Sequence, residues 1–304
     1  MHDKQFLTSL KPIAKRFIRR RDKWSIGIYK GDSPFNFVAP EGIKNPVLTA
    51  EDVIDVNADI VADPFMVWEN EKWYMFFEVM NDRDRKGMIG LATSTNGFHW
   101  TYQKIVLDEP FHLSYPYVFK WNEEYYMVPE SYQANAIRLY KATKFPTQWS
   151  FVKDLLNGRD YVDSSIFQFD HQWWLFTTST SSDILRLYYT DDLMGTWTEH
   201  PKSPVIQGNA HIARPGGRVV VFDNKIIRYT QDDRPHYGNQ VRAFEITLLT
   251  TTHYQEQEAP GNPILKASGS GWNRVGMHNI DPHQINKDEW IACVDGYRTG
   301  IALK

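Results

Sequence analysis

Four carboxylates pose the first chemical question about this chain. Asp63 stands in Ala62-Asp63-Pro64-Phe65 and Asp163 in Val162-Asp163-Ser164-Ser165, each opening a run of strand-forming residues. Glu78 and Glu130 close the aromatic runs that begin at Trp73 and Tyr125. Glycosidic chemistry needs such a pair, one carboxyl to donate a proton and another to activate or replace water. Like charges held close raise one another's proton affinity, which separates an acid from a base. An acid before Pro or Ser is also an ordinary turn residue, so the chemistry depends on whether these groups converge. Of the four, Glu78 is read as substrate-binding, and with it the sequence offers Tyr115, Tyr117, Arg214, Gln231, His278, Asp281 and His283 as substrate-binding candidates. Arg214 with Tyr117, His211 and His278 would suit an anionic group, because a guanidinium bonds phosphate or carboxylate in bidentate fashion. The alternative for Arg214 is a structural ion pair with Asp63 or Asp163. His278, Asp281 and His283 are spaced like metal ligands on one turn, but no Cys or helix fixes their geometry, and no metal is assigned to them.

Convergence requires elements that repeat. Trp73-Tyr74, Tyr125-Tyr126 and Trp173-Trp174 recur at spacings of 52 and 48 residues. Each follows a short apolar strand and a tight polar turn, the pattern of a β-hairpin. The unit-closing Trp100, Trp149 and Trp197 recur at 49 and 48. Two independent landmarks with one period predict an all-β, five-bladed β-propeller rather than a two-sheet sandwich. The predicted blades cover about 57–105, 111–156, 159–206, 211–257 and 276–304. The last is short of outer strands, and Trp24–Tyr29 is the natural donor that closes the ring. Propeller geometry then aims Asp63, Tyr115 or Tyr117, Asp163, Arg214 and the Asp281–His283 segment at the axis, with Glu78, Glu130, Thr178 and Gln231 in a second layer.

Residues 1–23 form a separate basic segment. The stripe Phe6, Leu10, Ile13 and Phe17 predicts an amphipathic helix over 2–20, flanked by Lys and Arg. Packing against the propeller, a linker end, and a peripheral contact with anionic lipid are the three readings of it. The formal net charge of −3 argues against a nucleic-acid binder. No apolar run is long enough to span a membrane, and no secretory signal is recognisable, so the expected location is cytoplasmic, possible at an inner membrane face. A single cysteine, Cys293, forms no internal disulfide.

Ala62-Asp63-Pro64-Phe65 with Trp73-Tyr74-Met75-Phe76, and the blade-closing Ala92–Trp100, resemble the arabinanase, levansucrase and invertase superfamily. That superfamily holds glycoside hydrolase families 43, 32 and 68. Leu113–Phe119 with Tyr126-Met-Val-Pro-Glu130-Ser131 is similar to the propeller that precedes the transferase module in plant glucosamine inositolphosphorylceramide transferases and bacterial relatives. The resemblance covers residues 24–304. It implies five blades and a base or nucleophile at Asp63. It also shows departures: Tyr117 follows Pro116 where an aspartate is expected, and Arg214 stands where an acid would be. A related propeller can hold an axial cation, so calcium stays an alternative, with no other cofactor implied.

The resulting expectation is a carbohydrate-active enzyme, cleaving or transferring a glycosyl unit on a substrate with an anionic group. Asp63 is the expected base or nucleophile, Glu130 the acid and Asp163 a tuner of proton affinity. Arg214 and Tyr117 are expected to hold the anion. The rival is a sugar-binding propeller that assists a separate transferase.

Overall fold

A computed structural model describes residues 18–303, which form five antiparallel sheets around one axis. Blade one runs outward through Ala58–Glu69, Lys72–Asn81, Gly87–Ser94 and Thr101–Leu107. Blade two follows with Ser114–Trp121, Glu124–Glu130, Ala136–Lys144 and Gln148–Asn157. Blade three is Tyr161–Phe169, Gln172–Ser179, Ile184–Thr190 and the short Thr198–Glu199. In blade four the innermost strand is broken into Arg214–Pro215 and Val220–Phe222, ahead of Lys225–Asp232, Gln240–Leu249 and Tyr254–Glu258.

Blade five takes its inner strands, Ile280–Asn286 and Glu289–Leu303, from the end of the chain. Its outer strands, Ile18–Ser33 and Asn36–Val38, come from the other end. The closing pair holds unbroken antiparallel register from Ile18 opposite Leu303 to Gly31 opposite Trp290. Most of the helix expected over 2–20 lies outside the described residues. Its last three positions, 18–20, open the closing strand, because the backbone of 301–303 pairs with them there.

The turns explain the hairpins. Asn70-Glu71, Asn122-Glu123, Asp170-His171 and Asp223-Asn224 link the first two strands of blades one to four, with φ between 49° and 62° throughout. Paired positive φ is the turn that matches strand twist, and Asn and Asp tolerate it best. Aromatic and branched side chains between the blades fill the core: Phe76, Tyr117 and Trp173 in one cluster, and Met75, Phe77 and Ile291 in the next. At the break in blade four, Gly217 (φ 145°) bridges to Ile280 of the adjacent blade five. A Cβ there would stand 1.8 Å from the Ile280 carbonyl oxygen. Gly217→Ala is therefore expected to destabilise by about 2–3 kcal/mol, read as a lowered urea midpoint at unchanged slope.

Candidate active site in the axial pit

Three blades present an axial residue by the same device. The innermost strand of each carries a bulge, seen as register shifts between Ala62 and Phe65, Ser114 and Tyr117, and Val162 and Ser165. The bulged residues Asp63, Tyr115 and Asp163 have φ of 52°, 44° and 47°. Such a conformation costs about 1–3 kcal/mol in a non-glycine residue and persists only where surroundings enforce it. Here the enforcement is visible. Each bulge N–H is caught by a carboxylate from the preceding blade. Asp63 N–H donates to Asp295 Oδ2 (2.9 Å), Tyr115 N–H to Asp63 Oδ2 (3.3 Å), and Asp163 N–H to Glu130 Oε2 (3.3 Å).

Two of those carboxylates, Glu130 and Asp295, come from second strands at one register position, which Glu78 shares; the third, Asp63, is itself a bulge residue. Glu78, Glu130 and Asp295 each lie five residues beyond the aromatic that opens the strand, Trp73, Tyr125 and Trp290. Glu130 and Asp295 are occupied by backbone N–H groups. Glu78 is not: its Oε1 is buried with no hydrogen-bond partner among the described residues. His112 Nε2 lies 3.5 Å from that oxygen. His112 Nδ1 accepts Gly87 N–H at 3.0 Å, so the network assigns the ring proton to the edge facing Glu78. Burial first, and then the charge of Asp63, push Glu78 well above the ordinary carboxylate range. Its proton is held more tightly than that of an ordinary carboxyl, beside the carboxyl of Asp63.

Asp63 is pushed up to about 7, by burial first, while His278 opposes the rise and Asp163 and Asp295 add to it. His278 lies between two acids. Its Nδ1 is 2.8 Å from Asp295 Oδ1 and its Nε2 3.5 Å from Asp63 Oδ1. Burial works against its charge, but Asp295 and Asp63 outweigh it and raise the imidazole to about 9. Trp24 stacks on the His278 ring at 4.1 Å between centroids, and Tyr237 meets it edge-on at 5.3 Å. A raised imidazole stabilises the fold fully below its ordinary pKa near 6.5 and ceases to do so as pH rises through 9. Wild type is expected to lose about 3 kcal/mol between pH 6.5 and 9, measured by urea unfolding, and His278→Gln to lack that loss. Equal pH profiles for the two proteins would refute a charged His278.

Arg214 sits in the wall of the pit and is fully engaged. Its Nε donates to Asp163 Oδ2 at 2.6 Å, its other nitrogens reach Ser182 Oγ at 3.0 Å and Glu130 Oε2 at 3.9 Å, and Tyr237 covers its plane at 5.1 Å. Gln231 Nε2 also donates to Asp163 Oδ2, at 2.6 Å. A cavity of about 510 Å³ opens above, lined by Glu78, Ala62, His278, Trp24 and Tyr237, with Arg21, Arg83 and Arg85 at its rim.

The structure thus brings together Asp63, Glu78, Glu130, Asp163, Arg214, Gln231 and His278. It does not bring Tyr117, Asp281 or His283 to the pit. Asp281 pairs with Arg218, receives Met66 N–H at 2.6 Å and lies 2.9 Å from His283 Nε2. Tyr117 packs under the same Arg218, with 4.9 Å between guanidinium carbon and ring. This separate ion cluster ties blades one, two, four and five together. Tyr115 is likewise a tie: its hydroxyl accepts Gly217 N–H at 2.6 Å and lies 2.9 Å from Ser165 Oγ. The pairing of Tyr117 with Arg214 on one anion is corrected accordingly, as is Glu130 as a free acid. The cause is the same in each case, another blade that takes the side chain. His211, expected near the anion, pairs with Asp232 at 2.8 Å.

Asp63, His278 and Asp295 place ligand-type atoms within 4.8 Å of one another. The set reads as a hydrogen-bond hub rather than a cation cage. Asp295 already meets the N–H groups of Asp63, His278 and Asn279 as well as the imidazole. The turn 278–283 is split, with His278 in this hub and Asp281 and His283 in the Arg218 cluster.

Over residues 19–297 the chain matches the family described as glucosamine inositolphosphorylceramide transferase 1, N-terminal. The chain belongs to that family. Glucosamine inositolphosphorylceramide transferase 1 of Oryza sativa subsp. japonica is 35% identical over 298 residues, which are 90% of this chain and 40% of the relative. The Arabidopsis thaliana protein of the same name is 35% identical over 300 residues, 90% of this chain and 39% of the relative. The chain therefore spans about 40% of the length of the curated relatives it matches. An exo-β-1,3-galactanase from Clostridium thermocellum superposes with a TM-score of 0.58 at 13% identity, covering 69% of this chain and 51% of its own. A glycoside hydrolase-like structure from Parabacteroides distasonis reaches 0.63 at 11% identity, covering 86% and 97%. At such identity the likeness is one of fold. In this member of the transferase N-terminal family, Asp295, His112, Trp24 and Tyr237 join the site without having been expected there. Asp295 had a signal in its sequence, the five-residue offset from Trp290. The others reach the pit from loops and the closing strand, where no repeat position marks them.

Proposed function

We propose that the axial pit processes a glycosidic bond, by hydrolysis or transfer, on a glycoside or sugar donor that carries an anionic group. Asp63 acts as the base or nucleophile and Glu78 as the proton donor. Asp295 holds the bulge that aims Asp63, Glu130 holds the bulge of Asp163, and His278 supplies positive charge beside Asp63. The observation that carries this reading is the unpartnered Glu78 carboxyl. It alone of three equivalent acids has no backbone N–H to hold, and it faces a cavity large enough for a sugar ring. The names of the relatives support transfer to or from an anionic glycolipid. The setting we propose is glycolipid or cell-envelope polysaccharide metabolism on the cytoplasmic side, beside a partner transferase module. A second reading, a sugar-binding propeller serving such a module, is favoured by Arg214, which stands where related hydrolases keep an acid. Turnover of a panel of glycosides and nucleotide sugars separates the two. The enzyme reading expects turnover that Glu78→Gln lowers by about a hundredfold, mostly for poor leaving groups. Binding without turnover across the panel would leave the recognition reading and remove the catalytic one.

A further inference from the structure

Behind the wall formed by Trp24 and Asp59 lies a second cavity, of about 650 Å³, sharing both residues with the axial one. We infer that this second cavity is a subsite for a phosphorylated ring, seating the anionic part of the ligand whose glycosidic bond lies over the pit. The inference rests on the pit being a sugar site and says where the anion goes.

Its first support is Trp272, partly buried, which lines the cavity. The indole packs closely against two glycines. A Cβ at Gly27 would stand 2.7 Å from Trp272 Cζ2, and one at Gly296 3.0 Å from Cζ3. Gly27 and Gly296 belong to the two paired closing strands, with Gly296 opposite Ser25 and Gly27 opposite Val294. Two glycines on neighbouring strands thus make a seat one ring deep. An aromatic ring fixed on such a seat, with its remaining surface on a cavity, is a stacking platform for the apolar face of a sugar or cyclitol.

The second support is the cationic charge on this cavity that no carboxylate takes up. Arg214 is neutralised by Asp163, Arg218 by Asp281 and Arg228 by Glu256. Arg21, Lys23 and Arg85 all converge on Asp59, with Asp82 also taking Arg21. Arg274 and Arg298 line the second cavity, both exposed, and neither has a carboxylate within 4.0 Å among the described residues. Arg274 uses one nitrogen on the Thr299 carbonyl, at 3.0 Å, which leaves the rest of its fork open. Glu51 is the acid on this rim, held below its ordinary range by its hydrogen bond to Thr49 first and by Lys23 and Arg298 to a smaller extent. With Asp59 offset by its own three cations, the rim keeps a net positive charge. Open guanidinium forks beside a ring platform match a phosphate ester on a polyhydroxylated ring better than a neutral sugar.

The test is calorimetric titration of the full chain with myo-inositol 1-phosphate, myo-inositol and inorganic phosphate at low salt. The phosphorylated ring is expected to bind at least tenfold more tightly than either fragment. Trp272→Ala should weaken it at least tenfold, and so should Arg274→Ala combined with Arg298→Ala, a surface change that leaves the core untouched. Asp63→Asn and Glu78→Gln should leave it unchanged. Phosphate alone binding as well as the phosphorylated ring, or binding indifferent to the arginine pair, would overturn the subsite. Turnover by the wild type with no binding of the phosphorylated ring would also overturn it while the pit reading stands. Binding that follows the expected pattern without any turnover would retain the subsite and reject catalysis.

Discussion

Asp63→Asn is expected to lower kcat/KM on any glycoside the wild type turns over by at least about a hundredfold, as for removal of a base or nucleophile. The folded state should survive the change. Asn keeps an oxygen that can accept Tyr115 N–H, and the Asp63 backbone N–H still reaches Asp295. The pH argument has a definite sign. Folding raises Asp63 to about 7 from an ordinary value near 4, so the folded form binds its proton more tightly than the unfolded chain does. That carboxyl therefore subtracts stability as pH rises from about 4 to 7, and Asn removes the subtraction. The variant should be at least as stable as wild type at pH 7 by urea unfolding. Loss of turnover with stability retained is the signature of a chemical role. A variant that keeps more than half the wild-type rate would rule Asp63 out as base or nucleophile.

Arg214→Met carries the largest expected effect on stability, a loss of about 3–5 kcal/mol at pH 7. The guanidinium sits 2.6 Å from Asp163 and 3.9 Å from Glu130 in a nearly closed wall. Met fills similar volume but leaves both acids without their cation. Glu130 is raised above its ordinary range by burial first and by Asp163 next, and Arg214 is the group that opposes this. Without Arg214 the folded form holds protons more tightly still, so the deficit should shrink as pH falls from 7 to 5. Thermal or urea unfolding at the two pH values reads this directly. A deficit that is small, or that does not change with pH, would mean that Arg214 faces solvent and is free for an anion.

The division between Arg214 and Arg274 with Arg298 shows how far residue type alone could lead. Arginine near an acidic axis is equally a ligand for substrate and a counter-ion for the fold, and only position decides between them. Blade three supplies Asp163 and blade two supplies Glu130 to Arg214, so that residue is structural. The closing strand and the loop before blade five leave Arg274 and Arg298 without such neighbours.

Much of the architecture is written in the repeat. A period near 50 with aromatic pairs at one strand position determined five blades, the inward strand of each, and the layer at which Asp63, Glu78, Glu130 and Asp163 would stand. It did so because strand alternation and tight turns are local physics, readable within about ten residues. Which of those acids stays free was decided by tertiary structure alone. Each bulge N–H is caught by the preceding blade, about 30 to 50 residues away or, for Asp295, at the opposite end of the chain, and no local pattern records who catches whom. That pairing occupied Glu130 and Asp295, left Glu78 open, and drew Tyr117, Asp281 and His283 into a tie below the pit.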